Sequence, residues 1–339
     1  MSGWSVVAVG AGLVGSALTR RLAERGLAPI CFGPSSGPPY SSHDDSGRIT
    51  RVLDGSPTWA RLAARSIETY PDIEARSGVR FHHPVGVLWS ARSSEPLDEL
   101  DSVRTKLRVE HGSGLGGWEG IAALDGDETL LERGTAGYIS PRDMLRAHRV
   151  LAERNGAVFD DRIADAVEPV GGRWVVHLSD GESVTADRVV ISAGAGSREL
   201  ADVELEVTGE VVIDAHLSTD TGAALAHLPC IGRLSGASIV EGYLTPPIKG
   251  PDGWSLKFGA ELPETIVLRT AADIADWMNG DAHAGRLSAM ASSLQELLPG
   301  LDFGPIRSRP CMYTRTSTQL PIVHEVEPGL VVVTGGNGR

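Results

Sequence analysis

The stretch VVAVGAGLVGSAL, residues 6–18, places a short β-rich run before glycines at positions 10, 12 and 15 and a helical pattern after them. Gly10 permits a tight turn, Gly12 lets the backbone approach a pyrophosphate, and Gly15 lets the helix pack close to the strand. The helix N-terminus would present free N–H groups to the phosphates. The stretch predicts a dinucleotide site, although a βαβ unit whose glycines serve only helix packing is the alternative.

The second strand of such a unit departs from the pattern. It reads APICFGP, residues 28–34, and should end in an Asp or Glu that holds the adenosine ribose hydroxyls. Gly33 occupies that place. Either other groups hold the ribose or the nucleotide site is unusual.

The composition excludes several classes of protein. The 339 residues allow one large or two interleaved domains, and 41% hydrophobic against 22% charged residues can bury a sizeable core. A formal charge of -13 disfavours nucleic acid and anionic membranes as partners. No apolar run approaches the roughly 20 residues of a membrane span, and no leader is evident, so we expect a soluble, cytoplasmic protein.

Cysteine and lysine are both scarce. Cys31, Cys230 and Cys311 show no CxxC spacing and no HExxH motif occurs, so we expect neither a disulfide framework nor a metal site. The chain has only three lysines, Lys106, Lys249 and Lys257. In a chain that uses arginine for its positive charge, each lysine is a candidate for a specific role.

Helical and strand patterns alternate at the start, middle and end of the chain, with mixed segments between. This order predicts an α/β (α+β) fold: a Rossmann-like nucleotide-binding domain with an interleaved substrate domain built on a mixed, mostly antiparallel sheet. The predicted nucleotide domain comprises residues 1–82, 135–206 and 303–339, and the substrate domain comprises residues 83–134 and 207–302.

Six short motifs occur in the order in which a known family has them, across nearly the whole chain. They are VAVGAGLVGSAL, SSHDDSGRITR, PVGVLWS, RVVISAGAGS, LKFGAEL and RPCMYTRT. Together they resemble the D-amino-acid-oxidase-like family of FAD-dependent oxidoreductases, and most closely its monomeric sarcosine oxidase and N-methyltryptophan oxidase branch. The resemblance implies FAD as cofactor, with a small amine or amino acid and O2 as the reacting partners. The cofactor-binding residues that it implies are Gly10, Gly12, Gly15, Ser42, His43, Arg48, Cys311, Gly335 and Gly336.

Cys311 lies in CMYT, where the cysteine of sarcosine oxidases forms a thioether to the 8α carbon of FAD. Cations lower the pKa of a neighbouring cysteine, and Arg307, Arg309 and Arg315 could supply such a field. The alternative is a small buried hydrophobic residue, the usual role of a free cysteine. With CMYT in register, we interpret Cys311 as the site of a covalent flavin.

Lys257 is the first candidate catalytic residue. Trp254, Leu256 and Phe258 alternate with Ser255, Lys257 and Gly259, so a strand would direct the lysine away from the aromatic face. A solvated lysine is the default on such a sheet. The resemblance instead implies a lysine over the flavin, whose charge stabilises the negative charge that develops on O2.

Arg48 and Arg51 are the other candidate catalytic residues. The resemblance implies that Arg51 grips the substrate carboxylate, for which a planar fork of donors is well suited. It implies that Arg48 lies close to the flavin ring. The alternative is a surface arginine pair that answers Asp44 and Asp45.

The sequence also departs from the family. Asp44 and Glu261 stand where histidines are usual, so an acidic group could bind a more basic amine or repel a second carboxylate. Family members continue beyond the equivalent of GGNGR into a flavin-contacting loop, a substrate-binding lysine and a closing helix. We therefore expect that the sequence lacks a C-terminal segment.

These observations predict an FAD-dependent amine or amino-acid oxidase, which forms an imine and H2O2. One alternative is a flavin dehydrogenase that passes electrons to a quinone or a protein. Another is a catalytically silent protein that has kept the flavin fold for binding. An NAD-dependent Rossmann enzyme is disfavoured, because it leaves CMYT and LKFG unexplained.

Overall fold

The computed structural model describes residues 3–34, 45–91, 109–111, 128–236, 239–260 and 264–338. The helices are α1 (Leu13–Ala23), α2 (Pro57–Ser77), α3 (Pro141–Arg154), α4 (Ser197–Leu200), α5 (Thr219–Leu225), α6 (Ala271–Asn279) and α7 (Leu287–Leu297), with 3₁₀ turns at Gly194–Gly196 and Ala282–Arg286. Among these described helices, none has the length and apolar character needed to cross a membrane.

The strands form three sheets. In chain order they are β1 (Gly3–Val9), β2 (Ile30–Phe32), β3 (Arg48–Thr50), β4 (His82–His83), β5 (Val87–Ala91), β6 (Val109–His111), β7 (Glu128–Glu132), β8 (Gly137–Ile139), β9 (Val158–Asp160), β10 (Ala164–Val170), β11 (Arg173–Leu178), β12 (Ser183–Ile191), β13 (Glu206–Leu217), β14 (Cys230–Gly236), β15 (Ile239–Leu244), β16 (Ile248–Gly250), β17 (Gly253–Ala260), β18 (Ile266–Val267), β19 (Ile306–Arg315), β20 (Ile322–Glu327) and β21 (Leu330–Thr334).

The first sheet has eight strands, in which β9, β2, β1, β12 and β21 pair in parallel and β10, β11 and β20 add antiparallel neighbours. Helix α1 connects β1 to β2, as the glycine pattern predicts. Buried apolar residues of β1 and β12, such as Val7 and Ile191, pack in one core. A parallel sheet that carries a glycine turn after its central strand is the architecture of a nucleotide-binding unit.

The second sheet has ten strands, all antiparallel pairs except β5 with β14. Leu256 and Phe258 of β17 pack in one core with apolar residues of α6 and α7, including Trp277 and Leu294. The opposite face carries Lys257. The short sheet β3-β8-β4 is the third. The predicted α/β (α+β) class is confirmed, whereas the division into two domains at the stated boundaries stays a prediction.

Two local features follow ordinary residue preferences. Ser140 caps α3, accepting from the Asp143 N–H at 3.3 Å, with Pro141 at the first helical position. The turn at Asp180 and Gly181 joins β11 to β12 as an antiparallel hairpin, and Gly181 has φ +85°. In both places the local residue preference and the tertiary structure agree.

A buried histidine lies between α1 and α3. His148 is 2% exposed, and its Nδ1 accepts a hydrogen bond from Arg20 Nε at 3.1 Å. Its buried Nε2 has no hydrogen-bond partner among the described residues. Burial, and then the Arg20 charge, lower the pKa of His148 to about 4. The folded protein therefore holds this imidazole neutral at ordinary pH.

We expect His148 to make the protein less stable in mild acid. An unfolded histidine has a pKa of about 6.5, so between about pH 6.5 and pH 4 only the unfolded state gains the proton. The free energy of unfolding should fall by about 2 kcal/mol between pH 7.5 and pH 5 from this group alone. In His148→Gln, whose amide oxygen can accept from Arg20, this part of the pH dependence should vanish. Urea unfolding of both proteins at the two pH values measures it, and equal pH dependences would contradict the account.

Candidate active site

The glycine turn after β1 leaves the start of α1 open to an anion. Gly10 has φ +104° and donates its N–H to Phe32 O at 2.7 Å. Gly12 occupies the N-cap position of α1. No described side chain caps the helix N-terminus, and the first turn contains no acidic residue. A Cβ on Gly15 would lie 1.7 Å from Gly10 O. The turn can thus form only with glycine at position 15, and the free N–H groups of α1 remain available to phosphate oxygens.

The missing acidic residue at position 33 has a steric cause. Gly33 has φ +142°, and a Cβ there would lie 2.8 Å from Ala11 N in the phosphate turn. The Gly33 N–H donates to Asp160 O at 2.9 Å, which fixes the strand end. No side chain fits between β2 and the turn, so an Asp or Glu is excluded at this position.

One face of the ten-stranded sheet collects the candidate residues. Asp214 of β13 lies beside Lys257 of β17 in the antiparallel register, and Cys311 of β19 lies beside Glu210 of β13. These side chains alternate with residues of the helix-covered core, such as Leu256 and Met312. Strand alternation therefore directs the lysine and the cysteine to the same face.

Lys257 is buried on this face rather than solvated. The residue is 3% exposed, and its Nζ donates to Asp45 Oδ2 at 2.8 Å and to Gly47 O. The Tyr243 ring centroid lies 5.6 Å from Nζ. Burial, together with the Arg48 charge, lowers the pKa of Lys257, and Asp45 opposes this change.

Asp45 accepts contacts from three cations. Besides Lys257, Arg48 Nε lies 3.7 Å from Oδ2 and Arg309 Nη2 lies 3.4 Å from Oδ1. Burial by itself would raise the pKa of Asp45, but Lys257, Arg48 and Arg309 outweigh it and lower the pKa to about 2. The carboxylate is therefore ionised throughout the ordinary pH range.

Arg48 and Lys257 are two cations that interact with Cys311. Burial acts to lower the pKa of Arg48, but Cys311 and Asp45, both close to the guanidinium, raise it overall. The structure thus brings three predicted site residues together, on strands that are far apart in sequence.

The arginines that flank Cys311 in sequence have other partners. Arg309 donates to both carboxylate oxygens of Asp214, and Arg315 Nη2 lies 3.5 Å from Glu210 Oε1. Arg307 is exposed. The positive field that we expected these three residues to create at Cys311 is therefore partly offset by carboxylates. Arg48 and Lys257 contribute to this field from other strands.

Arg51 lies at the end of β3, in a second group of contacts. Its Nη2 donates to Asp54 Oδ2 at 3.1 Å, and its guanidinium lies 5.1 Å from the Trp89 ring centroid. The buried carboxylate of Glu132 accepts hydrogen bonds from the backbone N–H groups of Val52 and Leu53, the two residues after Arg51, at 2.7 and 3.2 Å. Cation–π contact and ion pairing both restrict the orientation of the guanidinium.

The C-terminal glycines lie against the strand that carries Cys311. The Gly336 N–H donates to Thr314 Oγ1 at 3.1 Å, and Gly335 has φ +81° with no room for a Cβ beside Thr316. A Cβ on Gly338 would lie 3.2 Å from the Tyr313 ring. The end of β21 and the end of β19 therefore meet near the same site.

Five residues named in the sequence analysis lie outside the described residues: Ser42, His43, Asp44, Lys106 and Glu261. Within the described ranges, no group of three or more His, Cys, Asp or Glu side chains is arranged to hold a metal ion.

Sequence reasoning missed the roles of Asp45 and Glu132. Asp45 was visible only as a possible partner of a surface arginine, and the Arg48–Asp45 contact does exist, but at a buried position. Glu132 lies in an ordinary strand pattern, and nothing in the sequence marks it as a residue of the site. Both act through partners distant in sequence, which no local motif reveals.

Comparison with curated proteins gives relatives that share nearly the whole chain. Monomeric sarcosine oxidase of Streptomyces avermitilis is 27% identical over 98% of this chain and 88% of that protein. Monomeric sarcosine oxidase of Bacillus sp. (strain B-0618) is 24% identical over 99% of this chain and 88% of that protein.

A solved structure shares the fold. NikD, an unusual amino acid oxidase essential for nikkomycin biosynthesis, superposes with a TM-score of 0.79 over 99% of this chain and 90% of that chain, at 18% sequence identity. The family described as DAO, FAD dependent oxidoreductase, matches residues 5–339. The resemblance seen in the sequence is thereby confirmed, and the chain belongs to the FAD dependent oxidoreductase family.

Proposed function

We propose that this protein oxidises the C–N bond of a small amine or amino acid, N-substituted ones included, to an imine, and that O2 is reduced to H2O2. The observation that carries the proposal is the buried Lys257 ammonium, which shares a sheet face with Cys311 and interacts with Arg48 of β3, a strand of the three-stranded sheet. The full-length likeness to proteins named monomeric sarcosine oxidase supports the amine class of substrate.

FAD fits the residues at the glycine turn. The uncapped start of α1 and the absence of room for side chains at Gly15 and Gly33 suit a pyrophosphate held close to the backbone. Gly10 and Gly12 would complete that cradle, and Gly335 and Gly336 would contact the flavin end. When bound, FAD supplies the two-electron acceptor that the protein itself lacks.

Lys257 would provide a fixed positive charge for the reaction with O2. The ammonium is withdrawn from water, so its field is stronger than that of a surface lysine. It is also held by Asp45 and Gly47 O, so it need not reorganise as negative charge develops on O2. Arg48, half-buried beside it, adds to this field and would lie near the flavin ring.

Arg51 would bind the substrate carboxylate. Its fork can donate two parallel hydrogen bonds, and Asp54 and Trp89 already restrict its orientation. A substrate that binds as the neutral amine can lose its hydride equivalent without a side-chain base. Water then hydrolyses the imine without help from the protein.

The experiment for this function compares an amino acid with the amine that lacks its carboxylate. In Arg51→Met we expect the KM for the amino acid to rise about 10- to 100-fold, while the KM for the amine stays the same. The rate of peroxide formation in air, followed at increasing substrate concentration, gives both KM values. Arg61→Met, at an exposed arginine of α2, is the matched control and should change neither. Equal effects on the two substrates would show that Arg51 does not bind the carboxylate.

Cys311 would carry a covalent flavin. Of the three cysteines it alone is accessible, because Cys31 and Cys230 are fully buried. Burial raises the pKa of Cys31 to about 12 and also raises that of Cys230, so neither supplies the thiolate that a thioether requires. Arg48 and Lys257 both interact electrostatically with Cys311.

Acid precipitation tests the covalent link. We expect the yellow colour to stay in the pellet of the wild-type protein and of Cys230→Ala, and to leave with the supernatant in Cys311→Ala. Colour in the wild-type supernatant would contradict the thioether and would leave Cys311 a packing residue.

A further inference from the structure

Asp45 is the centre of a cluster of charges beside the proposed oxygen site, in which it and Lys257 are buried and two arginines are half-buried. Its side chain is 9% exposed, and it lies 2.8 Å from Lys257 Nζ, 3.7 Å from Arg48 Nε and 3.4 Å from Arg309 Nη2. Arg309 has a second anion, since it donates to both oxygens of Asp214. Asp45 thus contacts both Lys257 and Arg48 with one carboxylate.

The surroundings of Lys257 act mostly against its positive charge. The groups that contact it or act on it are Asp45 before β3, Arg48 of β3, Tyr243 of β15 and Cys311 of β19. Asp214 of β13 is its register partner, and Arg309 and Tyr313 of β19 alternate on the same face as Cys311. Burial removes water from the ammonium, and the Arg48 guanidinium repels it. Without a nearby anion, an amine in this position would give up its proton more readily.

We propose that Asp45 is a positioning residue for the reaction with O2: its carboxylate keeps Lys257 protonated and holds the ammonium on the sheet face. This inference rests on the proposed function, because it is Lys257 that faces O2 there. Gly47 O, in the same segment, accepts from the same Nζ and fixes the direction of the side chain. Asp45 acts through Lys257 and need not touch the substrate.

The protonation of Lys257 can be followed directly, because the chain has only three lysines. In FAD-loaded protein with 13C-labelled lysine Cε, the signal absent from Lys257→Met is that of Lys257. We expect its titration midpoint in Asp45→Asn to lie lower than in the wild type by about one pH unit or more. Asp45→Glu should restore most of the difference.

Two further variants make this readout specific. Asp45→Thr keeps a hydroxyl acceptor for Nζ without the charge, so it should show the same fall even if Asp45→Asn does not fold. Asp214→Asn removes a carboxylate from the same face, but one that binds Arg309, and should shift the Lys257 midpoint much less. An unchanged midpoint in both neutral variants of Asp45, or an equal fall in Asp214→Asn, would overturn the proposal.

The reaction with O2 is measured without any amine. The flavin is reduced by light under anaerobic conditions and mixed with O2 at a pH between the two midpoints. Asp45→Asn should reoxidise about tenfold more slowly than the wild type, and the difference should disappear at lower pH, where both lysines are protonated. Equal or faster reoxidation at every pH would overturn the part of Asp45 in the O2 reaction. A protein that shows these effects but oxidises no amine would refute the proposed function alone.

Discussion

Replacing Lys257 with methionine is expected to slow reoxidation by O2 about 100- to 1,000-fold, the usual cost of removing one preorganised charge or donor from a dry site. Methionine has a similar length and fills the same space, so the change removes mainly the charge. Reduction of the flavin by the amine under anaerobic conditions should change far less, because Lys257 is not assigned to amine binding. Stopped-flow measurement of the two half-reactions separates these effects.

Lys249→Met is the matched control, since Lys249 is an exposed lysine on β16, which pairs with β17 in the same sheet. It should leave both half-reactions unchanged. Fast wild-type reoxidation that persists in Lys257→Met would refute the role of Lys257. If the wild type itself reacts slowly with O2 but quickly with a quinone, the dehydrogenase alternative would replace the oxidase.

Gly15→Ala is expected to abolish FAD binding. Alanine at an interior helix position usually stabilises a helix relative to glycine, by about 1 kcal/mol. At this position, however, the added Cβ would lie 1.7 Å from Gly10 O and 2.6 Å from Ser192 Oγ. The first of these is a backbone atom of the phosphate turn, so the turn itself must move. The purified variant should be colourless, as judged by its visible absorbance relative to that at 280 nm.

Gly285→Ala provides the control for this change. A Cβ on Gly285 would meet nothing within 4 Å and its φ is not positive. The variant should bind FAD like the wild type. A yellow Gly15→Ala protein with undiminished FAD content would show that the turn tolerates the methyl group and that the nucleotide does not depend on its geometry.

The sequence predicted the fold well wherever a local pattern has one structural solution. The strand, glycine turn and helix at residues 6–18 form as expected, because the glycines leave the space that the close packing of α1 on the turn requires. The alternation around Lys257 correctly predicted that the lysine and the aromatic residues of β17 lie on opposite faces.

The charge environment of the site could not be read from the sequence. Asp45 and Lys257 are 212 positions apart, and their contact depends on how the segment before β3 crosses the ten-stranded sheet. The sequence also could not explain why position 33 is a glycine, because the atom that excludes a side chain there belongs to Ala11, in another segment of the chain. Such contacts arise only when distant strands are brought together.

The most direct test of amine oxidation by FAD and O2 uses a single sealed cuvette. Purified protein is mixed without oxygen with secondary amines and with D- and L-amino acids, and its yellow absorbance is followed before and after air is admitted. We predict that at least one of these compounds bleaches the flavin, that air restores the colour, and that peroxide appears in an amount equal to the amine consumed. Absence of bleaching with every compound in an FAD-loaded protein would contradict the account and favour a catalytically silent flavin fold.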